Sequence, residues 1–290
     1  MSVPGDLLDY HVVDVFTDSA YAGNPLAVVL DADDLTTEQM QRMAGEFNLS
    51  ETGFVLTPTS AEATYRLRIF TPGAELAFAG HPSIGAAWVL RSLSRVHGPS
   101  VFQECGAGIL PLTFEADSVT LAGGEPHLGE EYEPTAALAA AGLDGSQFVG
   151  DPLRWAGVGI EFAYLHVKPD AVARAVPDSA RLRQLPPSVG LVVFSYVDGV
   201  AHLRMFAPGV GVAEDPATGS AALALGVWLA AQGHVAAEGE SAYVVRQGIE
   251  VGRPSTLSCV VTCVDGIATA TRVTGSVVPV AAGRIVRPPV

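Results

Sequence analysis

The chain has 290 residues, 49% of them hydrophobic, and a net charge of −15. That length accommodates two domains of ordinary size or one large one, with enough apolar side chains for a buried core. The negative balance excludes a nucleic-acid binder, since neutralising phosphates takes clustered Lys and Arg; without a run of about 18 apolar residues, no membrane-spanning helix is expected either.

The N-terminal stretch MSVPGDLLDY lacks a charged segment followed by an apolar one, so a signal peptide is not expected and the cytoplasm is the expected compartment. Cys105, Cys259 and Cys263 form an odd set, and C-x3-C with no second pair is not zinc spacing, so all three read as small apolar core residues. No two His residues stand at metal-ligand spacing, and neither a metal nor a cofactor is expected. Lys168 is the sole lysine; at a strand end leading into a turn, it reads as solvated surface rather than a Schiff-base former.

YHVVDVFT and LAVVL, rich in β-branched residues and separated by a Gly23-Asn24-Pro25 turn, predict the first strands. From Asp34 to Phe47 the pattern turns helical, with Leu35, Met40, Met43, Ala44 and Phe47 on one face. ATYRLRIF then alternates: Tyr65, Leu67 and Ile69 point one way, Arg66 and Arg68 the other. Two segments, Pro82 to Leu93 and Pro216 to Gly233, are apolar nearly all round and predict helices buried on every face, with Gly233 as the stop of the second.

These helices belong to a repeat. RIFTPGAELAFAGHPSIGAA begins at Arg68, and RMFAPGVGVAEDPATGSAA begins at Arg204. The spacing is far too long for a solenoid, whose repeats run to about 20–50 residues. It predicts an α+β fold of two similar lobes, each a sheet wrapped around a central helix. The boundary falls in LAGGEPHLGEEYEP, dividing residues 1–125 from 126–277. The end of the chain, 278–290, is a strand available to either lobe.

Both helices open with X-Pro, and proline favours the first helical position, which puts His81 and Asp215 at the N-caps. Behind each cap lie first-turn N–H groups at the positive end of a helix dipole, a setting for an anion such as a small carboxylate. Gly85 and Gly219 would keep those turns narrow for a ligand. Asp215 is also explained as a plain N-cap, but His81 is not, because His caps poorly. Glu51, in EFNLSETGFVL, is the candidate general base; a capping box from Asn48 is the competing explanation, and Gly53 with the β-branched run after it favours a strand instead.

GNPLAVVLDADDLTTEQMQRMAGEFNLSETGFVL, RIFTPGAELAFAGHPSIGAA, RMFAPGVGVAEDPATGSAA and RQGIEVGRPS, spread over nearly the whole chain, resemble the phenazine-biosynthesis PhzF-type isomerase family, which has the diaminopimelate epimerase-like fold. The resemblance implies an active site between two lobes, no cofactor or metal, and often a homodimer. It assigns catalysis to Glu51, His81, Asp215 and Ser220, and the helix-start N–H groups at Gly80, His81, Gly219 and Ser220 are expected to bind the substrate carboxylate. Ser220 enters only through it; by itself that residue reads as a small helix-packing side chain. The implied reaction is cofactor-independent proton transfer by general acid/base catalysis on a small cyclic amino/hydroxy carboxylic acid. Two-thiol epimerisation is excluded, since no Cys stands near either helix start. Isomerisation of another small carboxylic acid, or non-catalytic carboxylate binding on the same scaffold, are the competing readings.

Overall fold

The computed structural model describes residues 6–185 and 190–289. The first five residues, part of the stretch read for a signal peptide, and Val290, the last residue of the 278–290 segment, lie outside the described residues. The chain divides into two compact units, Met1–Leu121 with Gly275–Val290, and Ala122–Thr274. The fold is mixed α/β, with six α-helices among the described residues. None is long and apolar enough to cross a membrane.

In the first unit β1 (Leu7–Val15) and β2 (Asn24–Val29) are followed by α1 (Thr37–Phe47), β3 (Glu51–Leu56), β4 (Tyr65–Phe70) and the short β5 (Glu75–Leu76). Then come α2 (Gly80–Ser92), β6 (Ser100–Cys105), β7 (Gly108–Glu115) and β8 (Ser118–Ala122). The connection through α1 makes β2 and β3 parallel, with Leu26 opposite Glu51. Thr36 caps α1 in a capping box with Gln39, and Asn48 closes it in the left-handed conformation. Asn48 therefore ends a helix instead of starting one, and Glu51 opens a strand as its sequence context predicts.

Alternation along β2 sends Leu26 to one face and Val29 to the other. Val29 joins Met40, Met43, Phe54 and Phe70 beneath α1. On the opposite face α2 packs on β1 through β4. Gly85 fixes how closely it does so: a Cβ there would stand 2.5 Å from Leu26 Cδ2 and 3.0 Å from Val15 Cγ2. Its role is helix-on-sheet packing, which corrects the expectation that it opens the helix start to a ligand.

The second unit contains β9 (His127–Tyr132), α3 (Thr135–Ala140), β10 (Leu153–Gly157), β11 (Glu161–His166), α4 (Pro169–Val172) and α5 (Ser179–Leu182). It continues with β12 (Leu191–Val197), β13 (Val200–Ala207), β14 (Val212–Asp215), α6 (Gly219–Ala231), β15 (Gly239–Gln247) and β16 (Ser255–Val264). The last strand, β17 (Ile267–Val286), pairs with β16 through its first residues and with β1 through its later ones. Every α6 residue from Gly219 to Ala230 is buried. The helix packs on β9, β10, β11 and β16, and burial of each large side chain such as Leu223 or Leu229 contributes about 1.5–3 kcal/mol. Gly226 does for α6 what Gly85 does for α2, since a Cβ would lie 2.6 Å from the Tyr243 hydroxyl. Gly233, at φ 71°, ends α6; its N–H bonds Ala230 O, and that of His234 bonds Leu229 O, a Schellman closure.

Candidate active site

Glu51 sits at the start of β3, and His81 is the second residue of α2. Glu51 Oε2 lies 3.4 Å from His81 Nε2, with the two side chains only 15% and 5% exposed. Parallel pairing of β2 with β3 brings Pro25, next to Leu26, to the same end of the sheet. Burial drives the His81 imidazole from its ordinary 6.5 down to about 3, against a smaller upward pull from its hydrogen bond with the Pro25 carbonyl. The ring is therefore neutral at physiological pH, beside a carboxyl group at ion-pair distance. Ala79 precedes α2 in extended conformation and offers no side-chain cap, and the first turn carries no acid. Its leading N–H groups, at Gly80 and His81, stand at the positive end of the helix dipole.

Beneath this turn runs a buried polar chain. Tyr65 donates to Gln103 Oε1 at 2.9 Å, Gln103 Nε2 donates to Ser83 Oγ at 2.9 Å, and Ser83 Oγ donates to Ala79 O at 2.9 Å. Gln103 is fully buried. Through Ser83 it holds the first turn of α2.

In the second unit Asp215, 8% exposed, ends β14, where it pairs with Met205 of β13. Thr218 Oγ1 donates to Asp215 Oδ2 at 2.6 Å. Gln247, fully buried at the end of β15, donates from Nε2 to Asp215 O at 2.7 Å and to Thr218 Oγ1 at 3.0 Å. Its Oε1 accepts from the Thr218 N–H at 3.0 Å. Gly248, at φ +77°, lets the chain turn directly under this segment, since a Cβ would lie 2.5 Å from Pro216 O and 2.3 Å from Arg253 O. Ser255 Oγ completes the brace by donating to Pro216 O at 3.0 Å. Gly219 and Ser220, both buried, form the first turn of α6.

The repeat persists in the side chains behind each site. Arg68 grips Glu75 through Nε at 2.7 Å and Nη2 at 2.6 Å. Arg204 grips Glu214 through Nε at 2.8 Å and Nη2 at 2.7 Å, and adds bonds from Nη1 to the carbonyls of Ala175 and Val172. Each bidentate pair ties the strand that opens its copy of the repeat to the acid further along it.

Neither His81 nor Asp215 is an N-cap. The cap of α2 is Ala79 and that of α6 is Thr218. Around His81 the helix begins early, because Ser83 N bonds Ala79 O and puts Pro82 at the third helical position. Around Asp215 it begins late: Ala222 N bonds Thr218 O, while strand pairing and Gln247 hold Asp215 and Pro216 ahead of the helix. Ser220 and Gly219 stand in the first turn of α6 as expected, and Gly80 opens α2. Thr218 and Gln247 escaped notice in the sequence, although both lie within the quoted stretches EDPATGSAA and RQGIEVGRPS. Also unforeseen is a group of three potential ligands at the far end of α6, Asp151, His166 and His234. Their separation along the chain hides them from any spacing rule. Cys259 and Cys263 are buried, Cys105 is half-buried, and Lys168 is exposed.

A family model for phenazine biosynthesis-like proteins matches residues 13–283. The chain is 36% identical to an uncharacterized isomerase of Mesorhizobium japonicum, across 96% of this chain and 98% of that protein. It is 38% identical to the trans-2,3-dihydro-3-hydroxyanthranilate isomerase of Pseudomonas aeruginosa, across 85% of this chain and 87% of that protein. Among solved structures, the phenazine biosynthesis protein of the PhzF family from Bacillus anthracis matches with a TM-score of 0.86 at 27% identity, covering 97% of this chain and 99% of that one. Sequence and fold together define an isomerase. The chain belongs to the PhzF family.

Proposed function

We propose that the protein isomerises a small cyclic amino/hydroxy carboxylic acid by cofactor-independent proton transfer, with trans-2,3-dihydro-3-hydroxyanthranilate as the leading substrate. Glu51 is the general base. It takes a proton from the ring carbon bearing the hydroxyl and, as the conjugate acid, returns it elsewhere on the conjugated system. The observation that carries this reading is the buried approach of Glu51 Oε2 to a neutral His81. A carboxylate in a poorly solvated setting, beside a ring nitrogen able to accept or donate, is suited to moving a proton in both directions.

His81 and Asp215 bind the amino and hydroxyl groups and relay protons, and Ser220 takes part with them. The N–H groups at Gly80–His81 and Gly219–Ser220 hold the carboxylate, and their fixed dipoles stabilise charge that develops as the proton leaves. The substrate suits such chemistry because its conjugated system spreads the negative charge. The similarity to the Pseudomonas aeruginosa enzyme supports this substrate. The match to the Mesorhizobium japonicum isomerase supports isomerisation as such, and a second reading has the same groups act on a different small carboxylic acid. A homodimer in the cytoplasm belongs to the same proposal, and sedimentation showing only monomer would refute the dimer.

The test is incubation with trans-2,3-dihydro-3-hydroxyanthranilate in D2O, followed by NMR, for the wild type and Glu51→Gln. Consumption with deuterium on a ring carbon, lost in the variant, is the expected result. Turnover by both proteins removes Glu51 from its role; turnover by neither removes the substrate and leaves the second reading.

A further inference from the structure

At the C-terminal end of α6, the opposite end from Thr218, three side chains from separate elements converge. Asp151 precedes β10, His166 ends β11, and His234 follows Gly233 in the closing turn of α6. Asp151 Oδ2 lies 2.6 Å from His166 Nδ1 and 2.9 Å from His234 Nε2, and the three ligand atoms fall within 4.8 Å of one another. Both rings are held by aromatic neighbours. His166 stacks on Phe194 with centroids 4.8 Å apart and planes 9° apart. His234 stacks on Trp228 at 5.6 Å and 11°. The imidazoles stand perpendicular to each other, each presenting a nitrogen to the same carboxylate oxygen.

We propose that Asp151, His166 and His234 form a binding site for one divalent transition-metal ion of the zinc type, which staples the end of α6 to the strands beside it. The donor set is two imidazole nitrogens and one carboxylate oxygen, and it suits zinc with water completing a tetrahedron. Metal–ligand bonds of about 2.0–2.2 Å put tetrahedral donors about 3.3 Å apart. Asp151 is half-buried and His234 exposed, so both have room to shift to that spacing while buried His166 stays in place. Neutral rings coordinate through the nitrogens that face Asp151, with their protons on the far nitrogens. The location favours a cation twice over: the C-terminal end of a helix dipole is negative, and so is the chain as a whole.

With the residues so far from Thr218 along a 13-residue helix, about 20 Å of α6 separates this ion from the first turn. Its role is structural, and it predicts linkage between metal concentration and stability. The test is titration of metal-free full-length protein with Co2+ and Zn2+, following visible absorption, equilibrium dialysis and Tm. The wild type takes up one equivalent per chain with a rise in Tm, and Zn2+ displaces Co2+. His234→Gln, an exposed position, and Asp151→Asn each weaken binding at least about tenfold and abolish the Tm rise. His97→Gln, on the surface of the first unit, leaves both unchanged. No stoichiometric uptake by the wild type, or uptake that survives both ligand variants, overturns the site and leaves a hydrogen-bonded triad alone.

Discussion

The starts of α2 and α6 come from one repeated stretch, yet they present different polar groups. At α2 a histidine lies inside the first turn, stripped of solvent and neutral, facing a carboxyl group from a neighbouring strand. At α6 a carboxylate lies just ahead of the helix, tethered by the threonine that caps it and by a glutamine beneath. Both starts rest on a fully buried glutamine, Gln103 or Gln247. Gln103 links the Tyr65 hydroxyl to Ser83 in the first turn of α2, whereas Gln247 bonds the backbone of Asp215 and both the N–H and hydroxyl of Thr218. The lesson is that duplication preserves the support and frees the supported residue to change. One copy presents an imidazole that stays uncharged, the other a carboxyl group that accepts a hydrogen bond from Thr218.

The largest expected effect breaks the first site. Glu51→Gln keeps the shape but removes the base, and turnover falls about 100- to 10,000-fold while the melting transition stays within a few degrees. Steady-state kinetics beside thermal unfolding reads both.

Next comes the pH dependence of stability, which isolates His81. Its folded pKa, about 3, lies below the unfolded 6.5. Between those values the unfolded chain binds a proton that the folded chain refuses, so stability falls as pH drops from 6.5 towards 3 and is independent of this group above 6.5. The slope from one such group reaches about 1.4 kcal/mol per pH unit. Urea unfolding across that window, compared with His81→Gln, should show a shallower slope in the variant by up to one proton.

The two braces can be set against each other directly. Thr218→Val removes a buried hydrogen bond to a carboxylate and an acceptor for Gln247, which costs about 2 kcal/mol and lowers kcat. Thr218→Ser restores both. Ser83→Ala in the first unit breaks only neutral hydrogen bonds and costs about 1 kcal/mol with kcat retained. Equal losses of kcat at the two positions would show that the braces do the same work.

Smallest is a contrast of glycines. Gly45 in α1 is exposed and has nothing within 4 Å of a Cβ, so Gly45→Ala stabilises by up to about 1 kcal/mol. Gly85→Ala forces a methyl against Leu26 and Val15 and destabilises by about 1–3 kcal/mol. Chemical denaturation of the pair checks the opposite signs.

Much of this architecture was legible because it is local or periodic. Absence of charge around α6 announced a helix buried on every face, and Tyr65, Leu67 and Ile69 announced the buried side of β4. The Glu51 strand was readable from Gly53 and the residues after it. The helix starts were not, because X-Pro is only a preference: a backbone bond to Ala79 pulls α2 forward, and contacts from Gln247 and Ser255, distant in sequence, hold Asp215 and Pro216 out of α6. The same non-locality hid Gln103, Gln247 and the Asp151, His166, His234 group. Their partners are set by strand pairing and helix packing, and no spacing along the chain encodes them.

The contrast between the two helix starts rests on His81 being neutral beside Glu51, and 15N NMR of the histidine rings measures that state directly. With His81 assigned through His81→Gln, the account predicts a neutral ring that does not titrate between about pH 7 and pH 4. A midpoint near 6.5 would make the contact an ordinary solvent-accessible ion pair and contradict the proton-transfer site built on it.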